Sequence, residues 1–287
     1  MMPAARVAVV RSLSRRLTAG VVLQYLVLSL AAFLLLFPLL YALIISFCTA
    51  AESVAYPPTL IPASPGFDSY IKAMDTAPVL RFIFNSFVIS IIVTAGQLIT
   101  ASLAAYAFSF LQFPGRSLFF ALFMSTMMIP WEVTIIPNYF TIKDLGWLDS
   151  YQGLTIPFLA TAFGTFLLRQ SFLTIPRELH EAARIDGCGH LRFFLTMVLP
   201  LSRPALGTLA VYAFLTTYNL YLWPLLITNT DTMRTVQIGL AMLQWEHAIA
   251  WNSMMAGVIL VSLPTLILLI LGQKQLIRGL TAGALKG

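Results

Sequence analysis

The sequence predicts an all-α, polytopic membrane protein of about six transmembrane helices, on three observations. Of 287 residues, 59% are apolar and only 10% are charged, against about 25% charged in an ordinary soluble domain, so the chain cannot cover a water-facing surface. Apolar runs long enough to cross a bilayer, about 20 residues at a rise of about 1.5 Å each, recur along it. The basic residues, finally, sort onto one side of those runs, as cytoplasmic loops do in membrane proteins.

The first span is expected at about 21–47, preceded by Arg11, Arg15 and Arg16 and interrupted only by Gln24, Ser29 and Ser46. Basic residues before an apolar run also open a secretory signal peptide, but this run exceeds a signal peptide's apolar core, and a retained helix is expected. The second span, about 83–108, stops before the compact turn Phe113-Pro114-Gly115-Arg116. The third, about 117–137, contains Pro130 and Glu132, and the fourth, about 154–172, carries Arg169 near its end. A polar loop, 174–203, leads to the fifth span at about 204–227 and the sixth at about 253–271. Prolines inside these spans predict kinks, tolerated where neighbours satisfy the freed backbone groups.

Orientation follows from the cations. With the segment 1–20 placed in the cytoplasm, only Lys72, Arg81, Lys143 and Arg234 of the 17 Lys and Arg residues fall outside. Both termini, including a tail at 274–287, are then cytoplasmic. The acids Glu52, Asp68, Asp75, Asp144, Asp149, Asp231 and Glu246 fall outside. The net charge of +6 is therefore a topology signal, and nucleic acid is not an expected partner. Cys48 and Cys188 fall on opposite sides, without a CxxC pair or histidines at ligand spacing, so structural thiols and no metal site are expected.

The loop between spans four and five is the most informative stretch. Pro176 suits the first turn of a helix, and Gly187 suits its end because glycine takes positive φ freely. A second short helix is expected over about 190–198, ended by Leu199-Pro200. In the first helix Leu179, Ala182, Ala183 and Asp186 share a side by helical spacing. Two adjacent alanines give that side a shallow profile, which admits a partner protein. Arg177 and Arg184 equally suit a helix resting on lipid headgroups, and the residues alone leave both readings open.

Within the spans, ionisable and polar groups are functional candidates by default. Glu132 is the only acid inside one, either lining a pathway or serving a neighbouring broken backbone. Tyr218, Asn219, Tyr221 and Trp223 cluster in the fifth span, where aromatic faces and an amide suit a sugar, although an interfacial aromatic belt has the same composition. No G-x-x-x-x-G-K-[ST] loop occurs, so ATP is not expected to bind this chain. Neither HExxH nor GxSxG occurs, which leaves a membrane-bound enzyme without a catalytic cluster. A carrier or channel working alone would show charged relays or inverted repeats, and neither is evident.

Glu181-Ala182-Ala183, then Gly187, then Leu199-Pro200 resembles the EAA motif of ABC importer permeases, in the form of their carbohydrate-uptake, maltose-permease-like branch. Asn85-Ser86-Phe87, Ala104-Ala105-Tyr106-Ala107-Phe108, Met128-Ile129-Pro130, Tyr221-Leu222-Trp223-Pro224 and the tail from Arg278 to Gly287 look similar to that branch too. Stretches such as Trp131-Glu132-Val133 and Leu148-Asp149-Ser150-Tyr151 look most like its glycerol-3-phosphate permeases. The resemblance covers the chain from about residue 20 to its end. It implies a type I importer permease (MetI-like) architecture in a bacterial inner membrane, importing a sugar, an oligosaccharide or sn-glycerol 3-phosphate. It also implies a heterodimer with a second permease, two ATPase subunits that bind ATP and Mg, and an extracytoplasmic solute-binding protein. On that resemblance the loop helix is the coupling helix: Glu181 pairs with a basic residue of the ATPase, Ala182 and Ala183 allow close packing, Asp186 shares their face and Gly187 permits the turn. The tail residues Thr281, Gly283 and Lys286 are implied as a second ATPase contact.

Overall fold

The computed structural model describes residues 19–246 and 250–281, with side chains over 20–243 and 250–273. Arg6, Arg11, Arg15, Arg16, Gly283 and Lys286 lie outside the described residues, as does the side chain of Thr281. Every described element is helical. In chain order they are α1 (Ala19–Ser46), α2 (Ala50–Ser53), α3 (Asp68–Thr76), α4 (Val79–Phe110), α5 (Arg116–Ser125), α6 (Trp131–Asp144), α7 (Tyr151–Thr155), α8 (Ala162–Phe172), α9 (Arg177–Ile185), α10 (His190–Phe193), α11 (Leu199–Leu201), α12 (Arg203–Tyr218), α13 (Leu222–Ile227), α14 (Val236–Glu246) and α15 (Trp251–Thr281).

Among the described residues, three helices are long and apolar enough to cross a bilayer unaided: α1, α4 and α15 over Trp251–Gln273. The others are broken. Helix α5, extended by a 3-10 turn to Met128, meets α6 at 96°, and α7, extended to Phe158, meets α8 at 44°. The fifth span is α12 followed by α13, with a break at 219–221. The structure thus replaces three kinked but continuous spans of the sequence reading with interrupted ones. Pro130 explains the first break, because its ring pushes the preceding residue out of the helical region, and Ile129 lies at φ −85°, ψ 114°.

The three breaks meet. Trp131, Phe158 and Trp223, one from each broken span, form a cluster of rings with centroids 5.0, 5.8 and 6.1 Å apart. At the span-four break, Gln97 Nε2 donates to the Phe158 carbonyl at 2.9 Å and Thr100 Oγ1 to the Leu159 carbonyl at 2.7 Å. Carbonyls freed in hydrocarbon cost several kcal/mol unless paired, so these two side chains of α4 make the break tolerable. Gly96 lets Leu159 come close; a Cβ there would stand 2.5 Å from Leu159 Cδ2. Gln97 and Thr100 lie about 15–20 Å from the Phe110 end of α4 at helical rise, which is near the middle of a bilayer core about 30 Å thick.

At one face of the molecule, the polar groups of α4 secure the loop between α13 and α14. Asn85, fully buried, donates through Nδ2 to the carbonyls of Thr232 and Arg234, both at 2.9 Å, and accepts at Oδ1 from the Tyr151 hydroxyl at 2.9 Å. Ser86 Oγ accepts from the Val236 N–H at 3.0 Å. Asp149, in the left-handed region at φ 49°, accepts from the Asn229 and Thr230 N–H groups at 2.7 and 2.9 Å. Burial raises the Asp149 carboxyl, yet these N–H groups and the Thr230 hydroxyl outweigh it and hold it below the usual carboxylate value. The Asn85-Ser86 pair thus has a definite structural task. Nearby, Asn252 at the start of α15 donates to the Cys48 carbonyl and to Ser69 Oγ, joining three segments. Cys48 and Cys188 are both free thiols.

Candidate functional site

The opposite face carries a helical hairpin, α9 followed by a continuous helix from His190 to Leu201. Pro176 stands at the N-cap of α9, one place before its first turn. Gly187 closes α9 at φ +73°, where an added Cβ would meet no neighbour, so glycine is required there by the backbone and not by crowding. The second helix does not stop at Leu199-Pro200. It passes through a π turn at Phe194–Val198 and on to Leu201 before bending 78° into α12. Pro200 lies inside this continuous helix, just after the π turn and one residue before its last residue, Leu201.

The phase of α9 differs from the reading based on spacing. Ala183 is only 3% exposed and packs with Phe172, Ile175, Phe193, Phe194 and Val198 in a core that continues to Ala101, Ala105 and Leu209 of the spans. It therefore faces its own chain, not a partner. Glu178, Glu181, Ala182 and Ile185 are exposed and recur at i, i+3, i+4 and i+7, one outward face. Ile185 is 86% exposed, more than its apolar character favours in water; Leu179 and Asp186 flank this face and are also exposed. Of the residues implied as ATPase-coupling, then, Glu181, Ala182 and Asp186 lie outward, Ala183 inward, and Gly187 at the turn. Ile185 was missed; its apolar side chain in an otherwise charged stretch was the available signal.

Two of the three histidines stitch the hairpin to the spans. Tyr106 of α4 hydrogen-bonds His190 Nδ1 at 3.0 Å. The His180 ring lies 4.9 Å from Phe193 and 5.5 Å from Phe110. Burial, then the nearby His190 and Arg184, hold the His180 imidazole below its ordinary value, with Glu181 opposing. A neutral ring suits that aromatic site.

The residues expected to line a pathway separate into two groups. Tyr218 is 1% exposed and Trp223 fully buried. Tyr218 donates its hydroxyl to the Val261 carbonyl at 3.1 Å, and Trp223 donates Nε1 to the Gly153 carbonyl at 3.0 Å. Both are internal fasteners of the broken span and present no surface to a solute. Asn219, Tyr221 and Glu132 are exposed. Glu132 occupies the first turn of α6, where a carboxylate meets the positive end of the helix dipole, and takes no hydrogen bond from neighbouring backbone among the described residues. Asn219 accepts at Oδ1 from Gln237 Nε2 at 3.1 Å.

A bundle of apolar helices with interrupted spans meeting near mid-bilayer, and a hairpin packed on them that displays one face outward, has the architecture of a polytopic membrane protein. Residues 4–281 match the family of binding-protein-dependent transport system inner membrane components, and the chain belongs to that family. Its relatives include the sn-glycerol-3-phosphate transport system permease protein UgpE of Brucella abortus, 38% identical over 265 residues, which cover 89% of this chain and 94% of the relative. The UgpE of Agrobacterium fabrum is 40% identical over 268 residues, with 90% and 95% covered. Among solved structures, a chain of a bacterial ABC transporter involved in import of the acidic polysaccharide alginate shares the fold at a TM-score of 0.80 and 23% identity, covering 91% of this chain and 98% of that one. A second, from the alginate transporter in complex with an alginate pentasaccharide-bound periplasmic protein, gives a TM-score of 0.65 at 14% identity. The chain is accordingly an inner-membrane permease of a binding-protein-dependent importer, a transport component and not an enzyme.

Proposed function

We propose that this permease forms half of a translocation pathway that opens alternately to the two sides of the membrane, in a heterodimer with a second permease. Two ATPase subunits, which bind ATP and Mg, and an extracytoplasmic solute-binding protein complete the importer. The termini and the α9 hairpin lie in the cytoplasm, in keeping with the concentration of Arg and Lys there. The solute is of the carbohydrate class, with sn-glycerol 3-phosphate favoured by the names of the relatives. No Lys or Arg stands mid-span to meet a phosphate, so that charge falls to the second permease or the binding protein.

The observation that carries this reading is the outward face of α9, Glu178, Glu181, Ala182 and Ile185, on a hairpin whose inner side shares one core with α4, α8 and α12. An ATPase seated on that face moves the spans through packed side chains, since such cores shift as units. Thr281, Gly283 and Lys286 form a second ATPase contact in this proposal. Co-purification with the tagged chain in mild detergent, read by mass spectrometry, tests it. An ATPase subunit and a second permease are expected; recovery of the folded chain alone would contradict the assignment.

A further inference from the structure

We infer that Tyr212, Thr216 and Asn219 of the fifth span, with Gln237 of α14, form a neutral hydroxyl-reading site on the solute pathway. The inference rests on the permease reading above and names where in that pathway this chain touches its solute.

Tyr212, Thr216 and Asn219 are spaced i, i+4 and i+7, so they share one face of α12. All three are exposed, although Ala213, Phe214 and Tyr218 between them are buried. Asn219 opens the break of the span, four residues before Trp223, whose ring packs against the breaks of the third and fourth spans. The stripe therefore lies at membrane depth. Thr216 Oγ1 donates to the Tyr212 carbonyl at 2.9 Å and Asn219 Nδ2 to the Leu215 carbonyl at 2.8 Å. The hydroxyl's acceptor sites, the second amide hydrogen of Asn219 and the Gln237 Oε1 are left without partners in this chain among the described residues.

The exposed Asn219 amide, its half-buried partner Gln237 and a hydroxyl cannot face hydrocarbon without a cost of several kcal/mol. At membrane depth such groups face a water-filled pathway or another protein, and discontinuous spans are where transporters hold their solutes. The chemistry selects between ligands. Donors and acceptors are all neutral, so the stripe suits the hydroxyls of a polyol or sugar and offers no counter-charge to a phosphate or carboxylate. The Tyr212 ring, packed at 4.6 Å against Phe163, adds an apolar face for C–H groups.

The test uses the assembled importer in proteoliposomes, with sn-glycerol 3-phosphate delivered by the binding protein as the probe. Thr216→Val keeps the shape and removes the hydroxyl; uptake is expected to fall about three- to tenfold, the equivalent of one neutral hydrogen bond. Thr216→Ser, which keeps the hydroxyl and loses a methyl, should restore uptake. The opposite ranking would mean a packing role and overturn the site. Independently, Thr216→Cys in a Cys188→Ser background should react with a membrane-impermeant thiol reagent, and saturating solute should protect it. Absence of labelling, absence of protection, or cross-linking to the second permease would each overturn the inference. Loss of all uptake by the unaltered chain would instead remove the permease reading on which it rests.

Discussion

Ile185 offers a substitution that separates docking from folding. Its side chain is 86% exposed, so almost all of its apolar surface is available to a partner and almost none supports this chain. Burying a side chain of that size fully contributes about 1.5–3 kcal/mol. Ile185→Ala should therefore weaken the seat of the ATPase by about 2 kcal/mol, roughly 30-fold in affinity at about 1.4 kcal/mol per tenfold. Stability of the permease itself should change by no more than about 0.5 kcal/mol, because alanine is the better helix former. Two measurements on the same preparation decide it: the melting temperature of the purified permease, and ATP hydrolysis stimulated by the loaded binding protein across a titration of ATPase subunit. The expected result is an unchanged melt with the titration shifted to higher subunit concentration. An unshifted titration for both Ile185→Ala and Ile185→Asp would refute the assignment of this face as the docking surface.

Other perturbations probe the remaining links. Glu181→Lys should abolish stimulated hydrolysis or ATPase recovery while leaving the melt unchanged. Ala183→Leu should do the reverse, lowering the melting temperature through about 1–3 kcal/mol of overpacking, because the alanine is enclosed among Phe172, Phe193 and Val198. Thr100→Val leaves the Leu159 carbonyl at the span-four break without its 2.7 Å partner and should destabilise the permease by about 1–3 kcal/mol, again read by thermal melting. His180 predicts a pH dependence. Its folded value is depressed by burial and by His190 and Arg184, so the folded hairpin takes up a proton less readily than the unfolded chain. Hairpin stability is then indifferent to pH well above the ordinary imidazole value of about 6.5 and falls as pH drops below it. Proteolysis of the α9 hairpin should accelerate below that value, and His180→Phe should remove most of the acceleration.

How much of this was legible in the sequence follows from what sequence patterns encode. Apolar runs located the spans, because length and hydropathy are local quantities. Their interruptions were legible only as kinks: Pro130 marks one break, but that at 159–161 depends on Gln97 and Thr100, and that at 219–221 on the Gly153, Trp131 and Phe158 partners of Trp223, which come from elsewhere in the chain. The hairpin was readable from Pro176, Gly187 and the resemblance, yet the phase of α9 was not. Adjacent alanines look alike in sequence, and only packing against Phe193 and Ile175 turns Ala183 inward and Ala182 outward. The same limit applies in the fifth span. Tyr218 and Trp223 stood out as polar aromatics but are fasteners, whereas Thr216 and Gln237 attract no notice until the exposed face of α12 is known. The Tyr106–His190 link joins residues 84 positions apart, and no local pattern announces it.

The most direct test of the central claim is solute uptake by proteoliposomes containing this chain, its partner permease and the ATPase subunits, with binding protein outside and ATP inside. The account predicts uptake that requires both the loaded binding protein and ATP and that Glu181→Lys abolishes. Uptake by this chain alone, indifferent to ATP and binding protein, would contradict it.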